Sequence, residues 1–332
     1  MEEVTRRSSG SGLIIGKFMP PHLGHLHLIE VARSQVEQLT ILVCSLAAEP
    51  ISGHLRYEWM CELAPDARVV HVTDENPSEP HQHPRFWEIW THTIRRAVPT
   101  KPDVLFTSEK YGDELAARLG ARHVLVDYPR RHVPVSASMI RERPLAHWQY
   151  IPACVRPYFV KRIVVTGSES TGKTRLAGDL AAHYRTVLAP EFAREYLDAK
   201  NRPLDSSDIE LIARGQIATE EAQARKANRI LILDTDLVST IAYANHYYGF
   251  CPPWIVSAAR ERQADLYLLA DIDVPWVADL QRDRPHMREH MQMLFRTTLA
   301  DLGVSSYSTI NGSWAERWRH SCAAIDALLL TA

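Results

Sequence analysis

The sequence lacks the features that define several protein classes. Its five cysteines are scattered and include no C-x-x-C pair, which argues against a disulfide framework or a structural zinc site. No apolar run approaches the length of a membrane span, and the first dozen residues contain no apolar segment of the kind a secretory signal requires. The formal net charge is only -2, with 38 basic and 40 acidic side chains mixed along the chain, so no global field attracts nucleic acid or a membrane. We therefore expect a cytoplasmic protein that acts on small molecules.

The length and the hydrophobic pattern predict two domains. The 332 residues are enough for about two domains of roughly 150 residues, each with its own core. Apolar runs of strand length alternate with helical patterns in both halves, which predicts α/β domains with parallel sheets. Pro144, Pro152 and Pro157 mark the boundary. We predict four segments: a disordered tail at residues 1–12, a first domain at 13–150, a linker at 151–160 and a second domain at 161–332.

A P-loop is the most specific motif in the chain. Gly167–Thr174 matches G-x-x-x-x-G-K-S/T at every position, between an apolar run that ends at Val165 and an amphipathic pattern that begins at Leu176. In this motif, backbone N–H groups bind phosphates, the lysine reaches the terminal phosphates and the last hydroxyl binds Mg²⁺. The predicted phosphate-binding residues are Gly167, Ser168, Ser170, Thr171, Gly172, Lys173 and Thr174, with Thr174 also a Mg²⁺ ligand.

The first half contains a second phosphate-binding pattern, H-x-G-H, at residues 22–25. It lies between a predicted strand and a predicted helix. Two imidazoles and a glycine backbone in this position can bind the phosphates of a nucleoside triphosphate and stabilise charge on the attacked phosphorus. The alternative is that the histidines only cap or pack the turn. The residues predicted to form this site are Gly16, Lys17, Phe18, His22, Gly24 and His25.

Residues after later strands of the first half complete the predicted nucleotide site. Ser136 or Ser138 is suited to cap a helix, which leaves backbone N–H groups and Arg141 for triphosphate oxygens. The alternative is an ordinary capped surface helix. Asp127 and Arg131, which follow the predicted fifth strand, are included as nucleotide-binding residues.

Aromatic and histidine residues around position 85 leave two interpretations open. Trp87 follows a polar loop and could stack on a flat heteroaromatic base, but aromatics at this helical spacing more often belong to a core. His81 and His83 have no carboxylate or cysteine at ligand spacing beside them, which argues against a metal site.

Acidic and basic residues of the second half follow its predicted strands. Glu191 lies after a short strand, and Asp234 and Asp236 end a buried run of the form that a Walker B strand takes, so Asp234 could hold Mg²⁺. A solvated strand end is the alternative. Arg282 and Arg284 could close over a transferring phosphate, or they could form a solvated surface loop.

The order and pairing of these motifs resemble the NadR-type bifunctional enzymes, which join nicotinamide-nucleotide adenylyltransferase to ribosylnicotinamide kinase. The resemblance also rests on Phe106–Gly112, with Ser108 and Glu109, on Glu191–Glu195 and on Pro275–Val277. Some members begin with a helix-turn-helix repressor domain; the residues before Leu13 are too few for one, so we expect no such domain. The family usually has Asp-Gly before its lid arginine, where this chain has Leu280 and Gln281.

The resemblance implies a Rossmann-like nucleotidyltransferase domain followed by a P-loop kinase domain. It implies ATP and Mg²⁺ as cofactors, nicotinamide riboside and nicotinamide mononucleotide as substrates, and NAD as product or bound ligand. It also implies that His22 and His25 bind ATP phosphate, that the Trp87 loop receives nicotinamide, and that Lys173, Arg282 and Glu191 or Asp236 serve the kinase. The alternatives are a fusion acting on a pantetheine or flavin nucleotide precursor, and a regulator that binds nucleotides without turnover. A homo-oligomer is compatible with all of these.

Overall fold

A computed structural model describes residues 8–200, 202, 204–275, 287–304 and 307–331. The chain divides into two units between Val155 and Arg156. This division falls inside the segment predicted as a linker. Within that segment Ile151, Val155 and Val160 are buried, and residues 156–159 form a short helix.

The first unit is built around a parallel sheet. Its strands pair in the order β3-β2-β1-β4-β5, so β1 and β4 are neighbours although β2 and β3 lie between them in the sequence. In sheets of this kind, ligands bind beyond the carboxyl ends of the strands where the order reverses. Its elements are β1 (Ser8–Gly16), α1 (Leu23–Gln35), β2 (Val36–Cys44), α2 (Gly53–Leu63), β3 (Arg68–Val72), α3 (Phe86–Ala97), β4 (Val104–Thr107), α4 (Gly112–Leu119), β5 (Arg122–Leu125) and α5 (Ala137–Glu142).

The first strand begins earlier than the sequence indicates. Residues 8–12 were expected to belong to a disordered tail, but they form the first part of β1 and pair with β2. Small polar residues give no hydrophobic signal, yet their backbone joins the ladder. The Asp103 carboxylate accepts hydrogen bonds from the Ser11 N–H at 2.8 Å and from the Ser11 hydroxyl at 3.0 Å. The prediction was therefore wrong for residues 8–12; residues 1–7 lie outside the described range.

The second unit also contains a parallel sheet, with the order β10-β9-β6-β8-β7. Every residue of β8 is buried, as expected for a strand whose two faces are both covered by helices. Its elements are α6 (Arg156–Phe159), β6 (Lys161–Thr166), α7 (Lys173–His183), β7 (Leu188–Ala189), α8 (Phe192–Lys200), α9 (Asp208–Ala224), β8 (Ile230–Asp234), α10 (Leu237–Tyr248), α11 (Pro253–Glu261), β9 (Leu266–Ala270), α12 (Arg288–Asp301), β10 (Ser308–Ile310) and α13 (Trp314–Thr331).

The helices of the described ranges pack against these sheets. Within those ranges, none combines the length and the apolar character needed to cross a membrane.

Candidate active sites

The H-x-G-H turn forms the N-terminal cap of α1. His22 is the N-cap residue, and its Nδ1 accepts the Gly24 N–H at 3.1 Å. His25 Nδ1 in turn accepts the His22 N–H at 3.2 Å, and the two imidazole rings stack with their centroids 3.8 Å apart. Because each Nδ1 is an acceptor, the proton of each neutral ring lies on Nε2. The turn therefore provides two N–H donors for oxygens of a ligand.

Both histidines are held in the neutral form. Burial, with a smaller contribution from the positive charge of Arg130, lowers the pKa of His22 to about 4. Burial also lowers the pKa of His25, with smaller contributions from His22 and Arg130. At neutral pH the turn binds through hydrogen bonds, and net positive charge must come from neighbouring Lys and Arg side chains.

Small and aromatic residues fix the two rings. A Cβ on Gly24 would lie 2.9 Å from the His22 ring, so only glycine fits. Phe18 is 2% exposed and packs edge-on against His25 at 4.9 Å, and a Cβ on Gly16 would lie 3.2 Å from the Phe18 ring. Phe18, predicted as a nucleotide contact, therefore packs against His25 and supports its ring.

Helix α5 brings Arg141 next to this turn. Ser136 caps the helix by accepting the Met139 N–H at 3.2 Å, as predicted. The Arg141 guanidinium donates to the Met19 carbonyl and to the Ser138 hydroxyl, the latter at 3.2 Å. Arg141 thus lies beside the residues that lead into His22.

Lys17 is held at the same edge of the sheet by residues that sequence reasoning missed. Its ammonium lies 2.9 Å from Glu49 Oε1 and 3.0 Å from the Ser78 hydroxyl. Arg56 is fully buried, pairs with Glu49 and donates to the Lys17 carbonyl at 2.6 Å. Arg56 sits in a helix with weak hydrophobic patterning, where an arginine is ordinarily exposed, so no local pattern indicates its burial.

Asp127 organises a loop. Its carboxylate accepts backbone N–H groups of Arg131 at 2.8 Å and of His132 and Val133 at 3.2 Å, and its own φ is +47°. These hydrogen bonds use both carboxylate oxygens of Asp127. The presence of an aspartate at this position is therefore explained by the loop itself, without a bound nucleotide. The Arg131 side chain is exposed at this loop.

Other predicted residues of this unit follow β4 or lie on α3. Ser108 is half-buried directly after β4, and Glu109 pairs with Arg130 at 3.0 Å. Trp87 is half-buried, packs against the hydrophobic core and lies edge-on to Phe86. The Arg118 guanidinium covers its ring at 5.8 Å from the centroid. This packing favours the core alternative for Trp87.

The P-loop encloses its own lysine. Ser168 and Thr171 are buried, and the Ser168 carbonyl accepts both the Thr171 hydroxyl and the Lys173 ammonium at 2.8 Å. Lys173 is thus folded against the loop, where its charge faces the phosphate-binding backbone.

Two glycines of the P-loop are required by its conformation. Gly167 has a φ of +129°, and a Cβ there would lie 2.7 Å from the Ala270 carbonyl oxygen. Gly172 has a φ of +80°, and a Cβ would lie 2.1 Å from the Trp314 ring. Either substitution would combine a disfavoured backbone with a clash.

A buried arginine that sequence reasoning missed supports the P-loop. Arg317 on α13 donates to the carbonyls of Thr171 at 3.2 Å, Asp271 at 2.9 Å and Gly312 at 3.1 Å, and it pairs with Asp273. It lies about 145 residues after the loop in sequence, so no local pattern could reveal the contact.

The P-loop opens into a cleft of about 940 Å³. Predicted P-loop and acidic residues meet there, together with an arginine, a glutamine and several tyrosines. Hydroxyl-binding polar groups beside aromatic rings suit a ligand that joins a sugar to a flat ring. The lining includes Ser170, Thr171, Gly172, Lys173, Thr174, Glu191, Arg194, Gln216, Asp236, Tyr243, Tyr247 and Tyr248.

Two of the acidic residues that line the cleft, Asp236 and Glu191, differ in environment. Asp236 caps α10 through the Val238 N–H at 3.0 Å and accepts the Tyr267 hydroxyl at 3.1 Å. Burial raises its pKa to about 6. Glu191 is half-buried and lies 3.9 Å from Arg194.

Metal-ligating side chains do not cluster in the residues that the structure describes: no three His, Cys, Asp or Glu side chains meet there. His81 and His83 are both exposed. Arg282 and Arg284, together with the Leu280 and Gln281 departure, lie outside the described residues.

Two family models match the chain, a cytidylyltransferase-like domain at residues 13–143 and an AAA domain at residues 162–317. The trifunctional NAD biosynthesis/regulator protein NadR of Escherichia coli (strain K12) is 32% identical over 300 residues, which cover 83% of this chain and 72% of that protein. The nicotinamide-nucleotide adenylyltransferase of Pyrococcus abyssi is 27% identical over 193 residues, covering 54% of this chain and 95% of that protein.

Two solved structures share the fold of nearly the whole chain. NadR protein in complex with NR matches with a TM-score of 0.81 at 22% identity, and NadR protein in complex with NAD and AMP-PNP with a TM-score of 0.79 at 23% identity. Each match covers 97% of this chain and 96% of the other.

Proposed function

The chain belongs to the NadR family of NAD biosynthesis proteins, and from this premise we propose that it catalyses two ATP-dependent steps. One is the phosphorylation of nicotinamide riboside, in the second unit. The other is the adenylylation of nicotinamide mononucleotide to NAD, in the first. The observation that carries the proposal is the pairing in one chain of an H-x-G-H turn, whose two imidazoles keep their Nε2–H donors, with a P-loop cleft that contains a buried carboxylate.

Adenylyl transfer needs alignment and charge stabilisation more than acid–base chemistry. An oxygen of the mononucleotide phosphate forms a bond to the α-phosphorus of ATP while the bond to the departing diphosphate breaks. The nucleophile is already ionised, so no base is required. His22 and His25 donate their Nε2 protons in hydrogen bonds to phosphate oxygens, and Arg141 and Lys17 supply positive charge. Neutral imidazoles suit this role because they donate at any pH above their lowered pKa values.

Phosphorylation of the riboside requires a base and a cation. The ribose hydroxyl oxygen forms a bond to the γ-phosphorus of ATP while the bond from that phosphorus to the departing ADP breaks, and Asp236 accepts the proton that the hydroxyl loses. A pKa of about 6 leaves Asp236 mostly ionised at neutral pH and more basic than an ordinary carboxylate. Lys173 follows the charge onto the transferred phosphoryl group. Glu191 binds a hydroxyl of the ribose from the opposite loop.

Residues of the second unit fit a Mg²⁺ ion bound with ATP. Asp234 Oδ1 is buried and, among the described residues, has no hydrogen-bond partner, which suits an oxygen reserved for an ion or its water. Thr174, at the cleft, would contribute its hydroxyl. When bound, such an ion would neutralise negative charge on the phosphates of ATP.

Mass analysis of the products tests this function. The protein is mixed with ATP, Mg²⁺ and nicotinamide riboside, and we expect nicotinamide mononucleotide, NAD, ADP and diphosphate. A fusion that uses another precursor would instead convert a pantetheine or flavin substrate, and a nucleotide-sensing regulator would give no product with any of them. Absence of turnover on the riboside and on the mononucleotide would contradict the proposal.

A further inference from the structure

Gln216 on α9 connects the two strand ends that carry the acidic residues of the kinase cleft. Its Oε1 accepts the Phe192 N–H at 3.0 Å, directly after Glu191. Its Nε2 donates to the Thr235 carbonyl at 3.4 Å, directly before Asp236. Gln216 is 3% exposed and lines the cleft. One buried amide therefore contacts the backbone beside both carboxylates.

Glu220, one turn further along α9, also contacts this amide. Its Oε1 accepts the Gln216 Nε2 at 3.2 Å, and its Oε2 lies 3.6 Å from the Arg262 guanidinium. Burial raises the pKa of Glu220 to about 7, so its charge alone does not orient the amide. Because the Phe192 N–H can only donate and the Thr235 carbonyl can only accept, the oxygen of Gln216 must face Phe192 and its NH₂ must face Thr235 and Glu220. In the opposite orientation the NH₂ of Gln216 would face the Phe192 N–H, and two buried donors would meet without an acceptor between them.

Gly215 seats the Phe192 ring next to the amide. A Cβ at position 215 would lie 2.0 Å from that ring, so the ring rests directly on the helix backbone. Consecutive residues of α9 thus hold both the ring and the N–H of Phe192. Two contacts of Phe192, its ring on Gly215 and its N–H on Gln216, therefore set the position of the adjacent Glu191 relative to α9.

We propose that Gln216 is a positioning residue of the riboside kinase. It keeps Glu191 and Asp236 at a fixed separation on the side of the cleft that binds the riboside, the phosphoryl acceptor. The inference rests on the proposed kinase function. Gln216 contacts the backbone of the acceptor-side loops, whereas the nucleotide phosphates are bound by the P-loop. Its loss should therefore impair turnover of the riboside far more than binding of ATP.

The test replaces Gln216 by Leu, which removes its three side-chain hydrogen bonds and keeps most of the volume. We expect kcat for riboside phosphorylation to fall by about 100-fold, because a displacement of the reacting groups by about 1 Å can lower a rate by that factor. The KM for ATP and the slow hydrolysis of ATP without riboside should change by about twofold at most, since both depend on the P-loop, whereas the hydrogen bonds of Gln216 go to Phe192, Glu220 and Thr235. Gln223→Leu, a half-buried position of the same helix outside the cleft lining, is the matched control.

Replacement of Glu220 separates orientation from packing. Glu220→Gln keeps an oxygen that can accept from Gln216 and should retain most of the turnover. Glu220→Leu removes that acceptor and should resemble Gln216→Leu. Thermal unfolding of every variant is measured in parallel, so that each kcat refers to folded protein.

Two results would overturn the inference. One is a folded Gln216→Leu protein with wild-type kcat on the riboside. The other is a proportional fall in riboside turnover, ATP hydrolysis and thermal stability, which a purely structural role would give. Wild-type protein that binds ATP but never phosphorylates the riboside would contradict the proposed function as well, and is recognised before any variant is compared.

Discussion

The Tyr267 hydroxyl donates a hydrogen bond to Asp236 Oδ2 at 3.1 Å, inside the second unit. Burial raises the pKa of Asp236 to about 6, while this hydrogen bond and the one from Val238 N–H favour the ionised form and limit the increase. Asp236 lies two residues past the end of β8 as the N-cap of α10, and Tyr267 lies near the start of β9. The acidity of the proposed base is thus tuned by a residue that does not line the cleft.

The first prediction concerns this base. Riboside phosphorylation should increase from pH 5 to pH 7 with a midpoint near the Asp236 pKa of about 6, because only the ionised carboxylate accepts a proton. Asp236→Asn should lower kcat by about 10²–10⁴-fold, the usual contribution of a general base. Glu191→Gln should act mainly on the KM for riboside. Initial rates across this pH range measure both effects.

Tyr267→Phe is the matched variant. It removes a hydrogen bond that stabilises the carboxylate, so the pKa of Asp236 should rise and the acid limb of the profile should move to higher pH. An unchanged profile in this variant, or a full loss of kcat in Glu191→Gln with Asp236→Asn still active, would assign the base to Glu191.

The second prediction concerns His22. His22→Ala should abolish adenylyl transfer and leave riboside phosphorylation near the wild-type rate, because the side chain belongs to the first unit. Loss of the cap also costs about 1 kcal/mol of stability. His22→Asn keeps a capping oxygen but lacks the Nε2–H, so it should be as inactive as Ala and more stable. His27→Ala, on the same helix, is the control, and undiminished NAD formation from the mononucleotide in His22→Asn would remove the assigned role.

Sequence patterns predicted the parts of both sites that are local in the chain. The P-loop, the H-x-G-H cap and the Ser136 cap are defined by residues within a few positions of each other, and continuous apolar runs identified β8 and β9. The supports were not predicted, because they depend on distant contacts. Arg56 and Arg317 look like surface residues of their helices, and only the folded chain shows them fully buried against carbonyl groups.

The third prediction concerns Trp87. Its packing against the core and under Arg118 leads us to expect that Trp87→Ala lowers stability by about 3 kcal/mol, as for other large-to-small core changes. The KM values for nicotinamide mononucleotide and ATP should then change to a similar extent. Urea unfolding and steady-state kinetics measure the two effects. A selective rise in the KM for the mononucleotide, with stability preserved, would instead support stacking on nicotinamide.

The last prediction separates the two activities through Lys173. Lys173→Ala removes the cation that follows charge onto the transferred phosphoryl group, so riboside phosphorylation should fall by about 10²–10⁴-fold, typical of losing one electrostatic stabiliser. Adenylyl transfer should persist, because the first unit has its own phosphate site.

The variant is therefore supplied with each substrate in turn. Nicotinamide riboside should give almost no NAD, whereas nicotinamide mononucleotide should restore NAD to the wild-type level. Lys226→Ala, an exposed lysine just past the end of α9, should leave both reactions unchanged and controls for loss of one positive charge. If Lys173→Ala suppressed both reactions equally in a protein that remained folded, the two sites would have to be coupled, since the only change is a charge in the P-loop of the second unit.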